Sequence, residues 1–131
     1  MNQPKTPGTK NRPKNRNRRG HYKDSPVYEY EILIRWTSQA TIGPKQGSDV
    51  FKWMENWDRL RREAIRLGLE SEDSRRPCLF FLECIREVLP DWWEMQYYNL
   101  VLHKEPVELR LLMEEFRAVY SALQLAKTSQ S

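Results

Sequence analysis

Residues 48–68 read SDVFKWMENWDRLRREAIRLG, and their spacing decides the fold. Val50, Met54, Trp57, Leu60, Ala64 and Leu67 follow one another at intervals of three and four, the rhythm of one face of an α-helix. Lys52, Glu55, Arg59, Arg62 and Arg66 keep the same rhythm on the other side, so the segment is amphipathic. Ser48 is the expected N-cap, because a short hydroxyl side chain can accept from the first free amides, and Asp49 suits the positive end of the helix dipole. Gly68 is the expected C′ residue, where glycine enters the left-handed region without penalty. Glu55→Arg59 and Asp58→Arg62 stand four apart, in the order that adds a few tenths of a kcal/mol each.

Working outward, Gly43, Pro44 and Gly47 predict a loop before this helix, and the polar run Leu69 to Arg76 predicts a turn after it. Pro77 suits the first turn of a second helix through CLFFLECIREVL, where Leu79, Leu82, Ile85 and Leu89 form a stripe broadened by Phe81 and Val88. That breadth implies a central position. Pro90 divides it from a helix over Asp91 to about Leu102, and a last helix starts near Pro106, with Leu109, Leu112, Met113, Phe116, Val119, Tyr120 and Leu123 on its apolar face. Residues 127–131 read as a frayed end. The stretch VYEYEILIRW at 27–36 has two readings: Tyr28, Tyr30, Ile32, Ile34 and Trp36 alternate as in a strand, while Val27, Tyr30 and Ile34 also fit a helical stripe. The expectation is therefore an all-α bundle of four to five helices over residues 25–126, with no internal repeat.

The 131 residues carry a net charge of +4, with 31% charged and 39% hydrophobic residues, the composition of one folded body and not of a wholly disordered chain. The charge is unevenly placed. Residues 1–24 hold eight Lys or Arg against one Asp, +7, whereas residues 25–131 hold fourteen against seventeen, −3. Three prolines, two glycines and four asparagines accompany the basic residues, and Tyr22 is the only aromatic there, so the segment reads as a disordered tail. Its cations, Lys5, Lys10, Arg12, Lys14, Arg16, Arg18, Arg19 and Lys23, suit neutralisation of nucleic-acid phosphates by counterion release. They lack a regular spacing, which predicts non-specific contacts with RNA. A solubilising tail or a nuclear localisation patch has the same composition.

The longest apolar run, Cys78 to Leu82, is far short of the roughly 20 residues that span a bilayer, and no apolar segment near the start resembles a secretory signal. A cytoplasmic location is the expectation, with nuclear entry through the tail left open. No partnership with a membrane or a small-molecule substrate is expected. Catalytic residues are expected to be absent: the chain has no glycine-rich phosphate loop, no GxSxG and no HExxH, and Asp73-Ser74 is followed by Arg75. No metal site and no cofactor is expected either. Cys78 and Cys84 are six apart, about 120° around a helix, which is poor geometry for one zinc; with His21 and His103 far away in sequence, the thiols read as small buried hydrophobes.

The tryptophans divide. Trp57 lies on the apolar stripe and is expected in the core, whereas Trp53 lies at its edge and is a candidate for self-association. Trp92 and Trp93 point about 100° apart on a helix, so one of them is expected at an interface, and both are candidates.

Four segments taken together resemble a known family. Asp49-Val50-Phe51-Lys52-Trp53-Met54-Glu55-Asn56-Trp57, Arg76-Pro77 leading to Phe81-Leu82-Glu83-Cys84-Ile85, Leu89-Pro90-Asp91-Trp92-Trp93, and Pro106-Val107-Glu108-Leu109 leading to Phe116-Arg117 stand in the order found in Gag-like, capsid-region polyproteins of fungal copia-type LTR retrotransposons. The likeness spans about residues 44 to 123 and resembles a truncated or domesticated piece of such a polyprotein. It implies a structural, non-enzymatic domain that self-associates around RNA, and it favours a helix for residues 27–41. Two other readings remain: a monomeric nucleic-acid-binding accessory protein, and an adaptor that binds a protein partner through its aromatic surface.

Overall fold

The computed structural model describes residues 22–73, 75–103 and 106–130, and within them every regular element is helical. The elements are α1 (Pro26–Gln39), α2 (Val50–Arg66), α3 (Arg75–Ile85), α4 (Pro90–Tyr97), a π-helical turn (Tyr98–Leu102) and α5 (Leu109–Gln130). Helix α1 packs on α2, and α3 packs on α4 and α5.

The ambiguous stretch at 27–36 is helical from its first residue. The Ser25 side chain accepts from the Tyr28 amide at 3.2 Å and Pro26 opens the helix, a sequence pair that nucleates a helix start. Ile32, Trp36 and Ala40, four apart, are buried in the core, whereas Tyr30 and Ile34, which a strand would have placed beside them, are 64% and 49% exposed. A strand needs a paired neighbour for its amides. A helix satisfies them internally and still delivers Trp36 to the core.

Helix α2 differs from expectation at its start. Asp49, not Ser48, is the N-cap, its carboxylate accepting from the Lys52 amide at 3.1 Å, while the Ser48 hydroxyl turns back to the Lys45 carbonyl at 2.6 Å. At the other end Gly68 has φ +76, with Gly68 N bonded to Ile65 O and Leu69 N to Ala64 O, the paired bonds of a Schellman motif. Asp58 binds Arg62 as the spacing implied, and Arg61 as well, while Arg59 donates to Asn56.

Helix α3 is shorter than the apolar run that predicts it. It begins at Arg75, whose amide is held by Asp73, and ends at Ile85, because residues 86–88 turn and Leu89, preceding Pro90, is held out of the helical conformation. Pro90 opens α4, whose register widens at Tyr98, where the His103 amide reaches five residues back to Tyr98 O. Helix α5 starts at Leu109 rather than Pro106 and continues to Gln130, past the point where fraying was expected. Residues before 25 also contact the helical body. The Tyr22 hydroxyl donates to Glu31, its ring packs edge-on against Tyr28 at 5.3 Å, and Arg66 lies 3.9 Å from Asp24.

The core is an aromatic chain centred on Phe81. Trp36 contacts Trp57 at 5.4 Å between ring centres, Trp57 contacts Phe81 at 5.6 Å, Phe81 meets Phe116 at 5.5 Å, and Phe116 meets Trp92 at 5.7 Å. All five helices are thereby joined through rings, each pair adding about 0.5–1.5 kcal/mol beyond the area it buries. The one buried polar residue among those described, Glu70, is satisfied by the Trp36 indole at 2.8 Å, the Ser71 amide at 2.9 Å and Arg76 at 3.4 Å.

A second carboxylate ties α1 to α2. Glu63 accepts from the Tyr28 hydroxyl and takes a two-point contact from Arg66 at 2.7 and 3.0 Å. The bonds from Arg66, followed by that from Tyr28, hold its carboxyl down to about 2 from the ordinary 4.5. A lowered carboxyl pKa stabilises the fold fully above the unfolded value and loses that contribution as pH falls through the folded one, so the loss runs from about pH 4.5 to 2. The ceiling is about 3 kcal/mol at ~1.4 kcal/mol per unit, reduced by the solvent that reaches 23% of the side chain. Urea unfolding at stepped pH should show Glu63→Gln less stable than the parent near neutrality and the two converging near pH 2; a constant gap across that range would remove Glu63 from the acid response.

Candidate functional site

The sequence pointed to two sets of residues, the basic tail and three tryptophans. Lys5, Lys10, Arg12, Lys14, Arg16, Arg18 and Arg19 lie outside the described residues. Lys23 lies within them, with its side chain exposed and its carbonyl accepting from Arg66 at 3.5 Å, so it belongs to the folded body.

The tryptophans are reassigned. Trp92 is 7% exposed, packed on Phe116, and its indole donates to Glu115 at 2.7 Å, which withdraws it from self-association. The rotation between Trp92 and Trp93 sends the first into the core, where it meets Phe116 and Glu115 of α5. Trp93 is half-buried, stacked on Tyr97 at 5.1 Å and covered by the Arg86 guanidinium at 4.9 Å, and its buried ring nitrogen has no acceptor among the described residues. Trp53 is half-buried, with its ring stacked on Phe81 at 6.2 Å and its nitrogen donating to the Ile42 carbonyl at 3.1 Å. Trp57 is in the core as its spacing implied, donating to the Ala40 carbonyl at 2.9 Å.

These bonds fasten the 40–49 loop to the bundle. The Cys84 thiol donates to the same Ala40 carbonyl at 3.1 Å, and Gly43 lies against the Cys84 carbonyl so closely that an added Cβ would sit 1.8 Å from its oxygen. Between the fastened loop and α2 opens a groove of about 560 Å³, lined by Ile42, Pro44 and Trp53 with Gln39, Lys45, Lys52, Asp49 and Asn56 around them. A second groove of about 660 Å³, on the other side of the loop, runs between Lys45, Ser48, Glu87 and Tyr120.

Two outward faces are apolar. On α1, Val27, Tyr30 and Ile34 form an exposed stripe opposite the buried Ile32 and Trp36. On α4 and the π-helical turn, Met95, Tyr98 and Leu102 form another, and the wider turn is what sends Leu100 inward and Leu102 outward. The first was legible in the helical reading of 27–36. The second was not, because a π-helical turn leaves no periodic signature.

The cysteines are both buried and unpaired with each other. Burial pushes the Cys78 thiol up to about 11 and the Cys84 thiol up to about 12, which keeps both protonated at neutral pH and unsuited to nucleophilic attack. His103 packs on Tyr98 at 4.8 Å, and His21 lies outside the described residues. Among the described residues no group of three or more His, Cys, Asp or Glu is placed to hold a metal ion, and no helix is long and apolar enough to cross a membrane. Compared with known proteins, the chain matches no family model, no curated protein and no solved structure.

Proposed function

We propose that this chain is a non-enzymatic nucleic-acid-binding assembly protein, of the kind its Gag-like motifs resemble: a cationic arm that holds RNA by its phosphates, carried on a helical body that self-associates. The observation that carries the reading is the separation of charge. Residues 1–21 hold seven Lys or Arg and no acid, whereas residues 22–131 hold fifteen against eighteen acids, −3. A body of that sign repels a phosphate backbone and the arm attracts it, so binding is assigned to the arm. Self-association is assigned to the exposed stripe of Val27, Tyr30 and Ile34, which begins where the arm ends and is available in a way that Trp92 is not. Apolar stripes of this sort on a charged surface are the usual seats of protein contacts.

Filter binding on unrelated single-stranded RNAs tests the arm. If all seven cations of residues 1–21 engage, log K should fall with log salt at a slope of roughly −5, and fewer contacts make it shallower. Removing residues 1–21 should lower affinity by about 100-fold or more at low salt while leaving the melting curve nearly unchanged, because the aromatic core and the contacts that tie the helices together are made by Tyr22 and residues after it. Unchanged affinity after truncation would overturn the assignment. Light scattering over a concentration series, with and without RNA, tests assembly; a monomer under all conditions would leave a nucleic-acid-binding accessory protein in its place.

A further inference from the structure

The groove between the 40–49 loop and α2 combines features that the arm lacks. Trp53 lines it together with Trp57, its ring stacked on Phe81 at 6.2 Å and packed against Trp57 at 6.3 Å, and its nitrogen bonded to the Ile42 carbonyl, so the indole is held in one orientation. Ile42 and Pro44 extend the apolar lining. Lys45 and Lys52 both line the same groove, and neither ammonium is ion-paired among the described residues. The Asp49 carboxylate also faces this region, but it is engaged by the Lys52 amide and sits at the positive end of α2, which offsets its charge.

A preorganised aromatic wall with two unpaired cations beside it matches one chemistry closely: a flat, uncharged ring carried between anionic groups. We propose that this groove is a base-stacking subsite for single-stranded nucleic acid, with a nucleobase entering against Trp53, Ile42 and Pro44 and the neighbouring phosphates meeting Lys45 and Lys52. The volume of about 560 Å³ admits a nucleobase with its sugar. The inference rests on the arm reading. The arm supplies the long-range attraction that a body of charge −3 cannot, and the groove supplies a contact that senses whether the strand carries bases at all. Helix α1 connects the two places: Lys23 precedes its first turn and Gln39, at its last, lines the groove, about 21 Å further on.

The experiment uses the full chain, a single-stranded RNA, and an abasic ribose-phosphate strand of the same length. Phosphate-only binding treats the two alike. The groove predicts that the abasic strand binds about 5- to 100-fold more weakly at equal salt. It also predicts that the double variant Lys45→Gln/Lys52→Gln, at two exposed unpaired positions, keeps the parent's melting curve, binds the base-bearing strand more weakly and shows a salt slope shallower by about 1.4. Equal affinity for the two strands would overturn the groove and leave the arm standing. An unchanged affinity and salt slope for the base-bearing strand in the double variant would also overturn it, by moving the phosphates away from Lys45 and Lys52. Failure of the full chain to bind either strand would remove both readings together.

Discussion

Gly43→Ala is expected to be the most damaging small substitution in the chain. Its Cβ would lie 1.8 Å from the Cys84 carbonyl oxygen and 2.8 Å from the carbonyl carbon, both backbone atoms that no rotamer change can move. The loop would have to retreat from α3, and the contacts that fasten it fail with that movement: Trp53 to Ile42, Trp57 to Ala40 and Cys84 to Ala40. Losing these three hydrogen bonds, two of them buried, at about 1 kcal/mol each, together with the packing around Trp57, should cost roughly 3 kcal/mol or more. For a body of this size that corresponds to a fall in melting temperature of roughly 12–24 °C. Gly47→Ala is the control. That glycine has φ +85 but open space around it, so alanine should cost only about 1–2 kcal/mol of left-handed strain. Thermal melts of the two variants decide the matter; a Gly43→Ala protein as stable as Gly47→Ala would show that the loop yields freely.

Trp57→Ala should remove about 3–5 kcal/mol, enough to unfold much of a domain whose whole stability is of order 5–15 kcal/mol. The side chain is buried, touches Trp36, Trp53 and Phe81, and holds the Ala40 carbonyl. Its removal opens a cavity in the middle of the aromatic chain. Trp53→Ala removes a ring that is only half-buried, and should cost less, about 2–3 kcal/mol, since the stack on Phe81 and the bond to Ile42 are still lost. Circular dichroism melts should therefore show Trp57→Ala as the less stable of the two, by roughly 1.5 kcal/mol at the middle of the two ranges. Equal destabilisation would mean that Trp53 is as much a core residue as Trp57.

The contrast between these two residues shows where sequence reading succeeds. Their placement, one on the apolar stripe of α2 and one at its edge, follows from spacing alone, because a helix converts position in sequence into angle around an axis. What lies beyond the edge does not follow. Trp53 is fixed by a carbonyl eleven residues away and by a ring on another helix, and its groove exists only because the 40–49 loop folds back over α2. Lys45 and Lys52 offered no joint signal, since a loop residue and a helix residue share no period. Trp92 and Trp93 present the same limit: a rotation of about 100° guarantees that they diverge, but which one turns inward depends on where α5 lies.

By itself the sequence determined the helical class, the bounds of α2 to within a residue, the Schellman end at Gly68, the interior place of Trp57 and the confinement of excess positive charge to the first two dozen residues. Each of these is local: periodicity, capping chemistry and charge are properties of short segments and survive without knowledge of their neighbours. The tertiary structure chose between the two periodicities at 27–36, in favour of the helix that Ser25-Pro26 also supports, and it alone decided that Glu70 is a buried acceptor for Trp36, that Gly43 can be nothing larger, and that Trp92 turns into the core. All of these depend on which surfaces meet, and a burial or a close approach is set by two segments at once. For the strand-or-helix choice the deciding term was the same: both periodicities were present in the ten residues at 27–36, and the core that Ile32 and Trp36 found on α2 and Glu70 selected one of them.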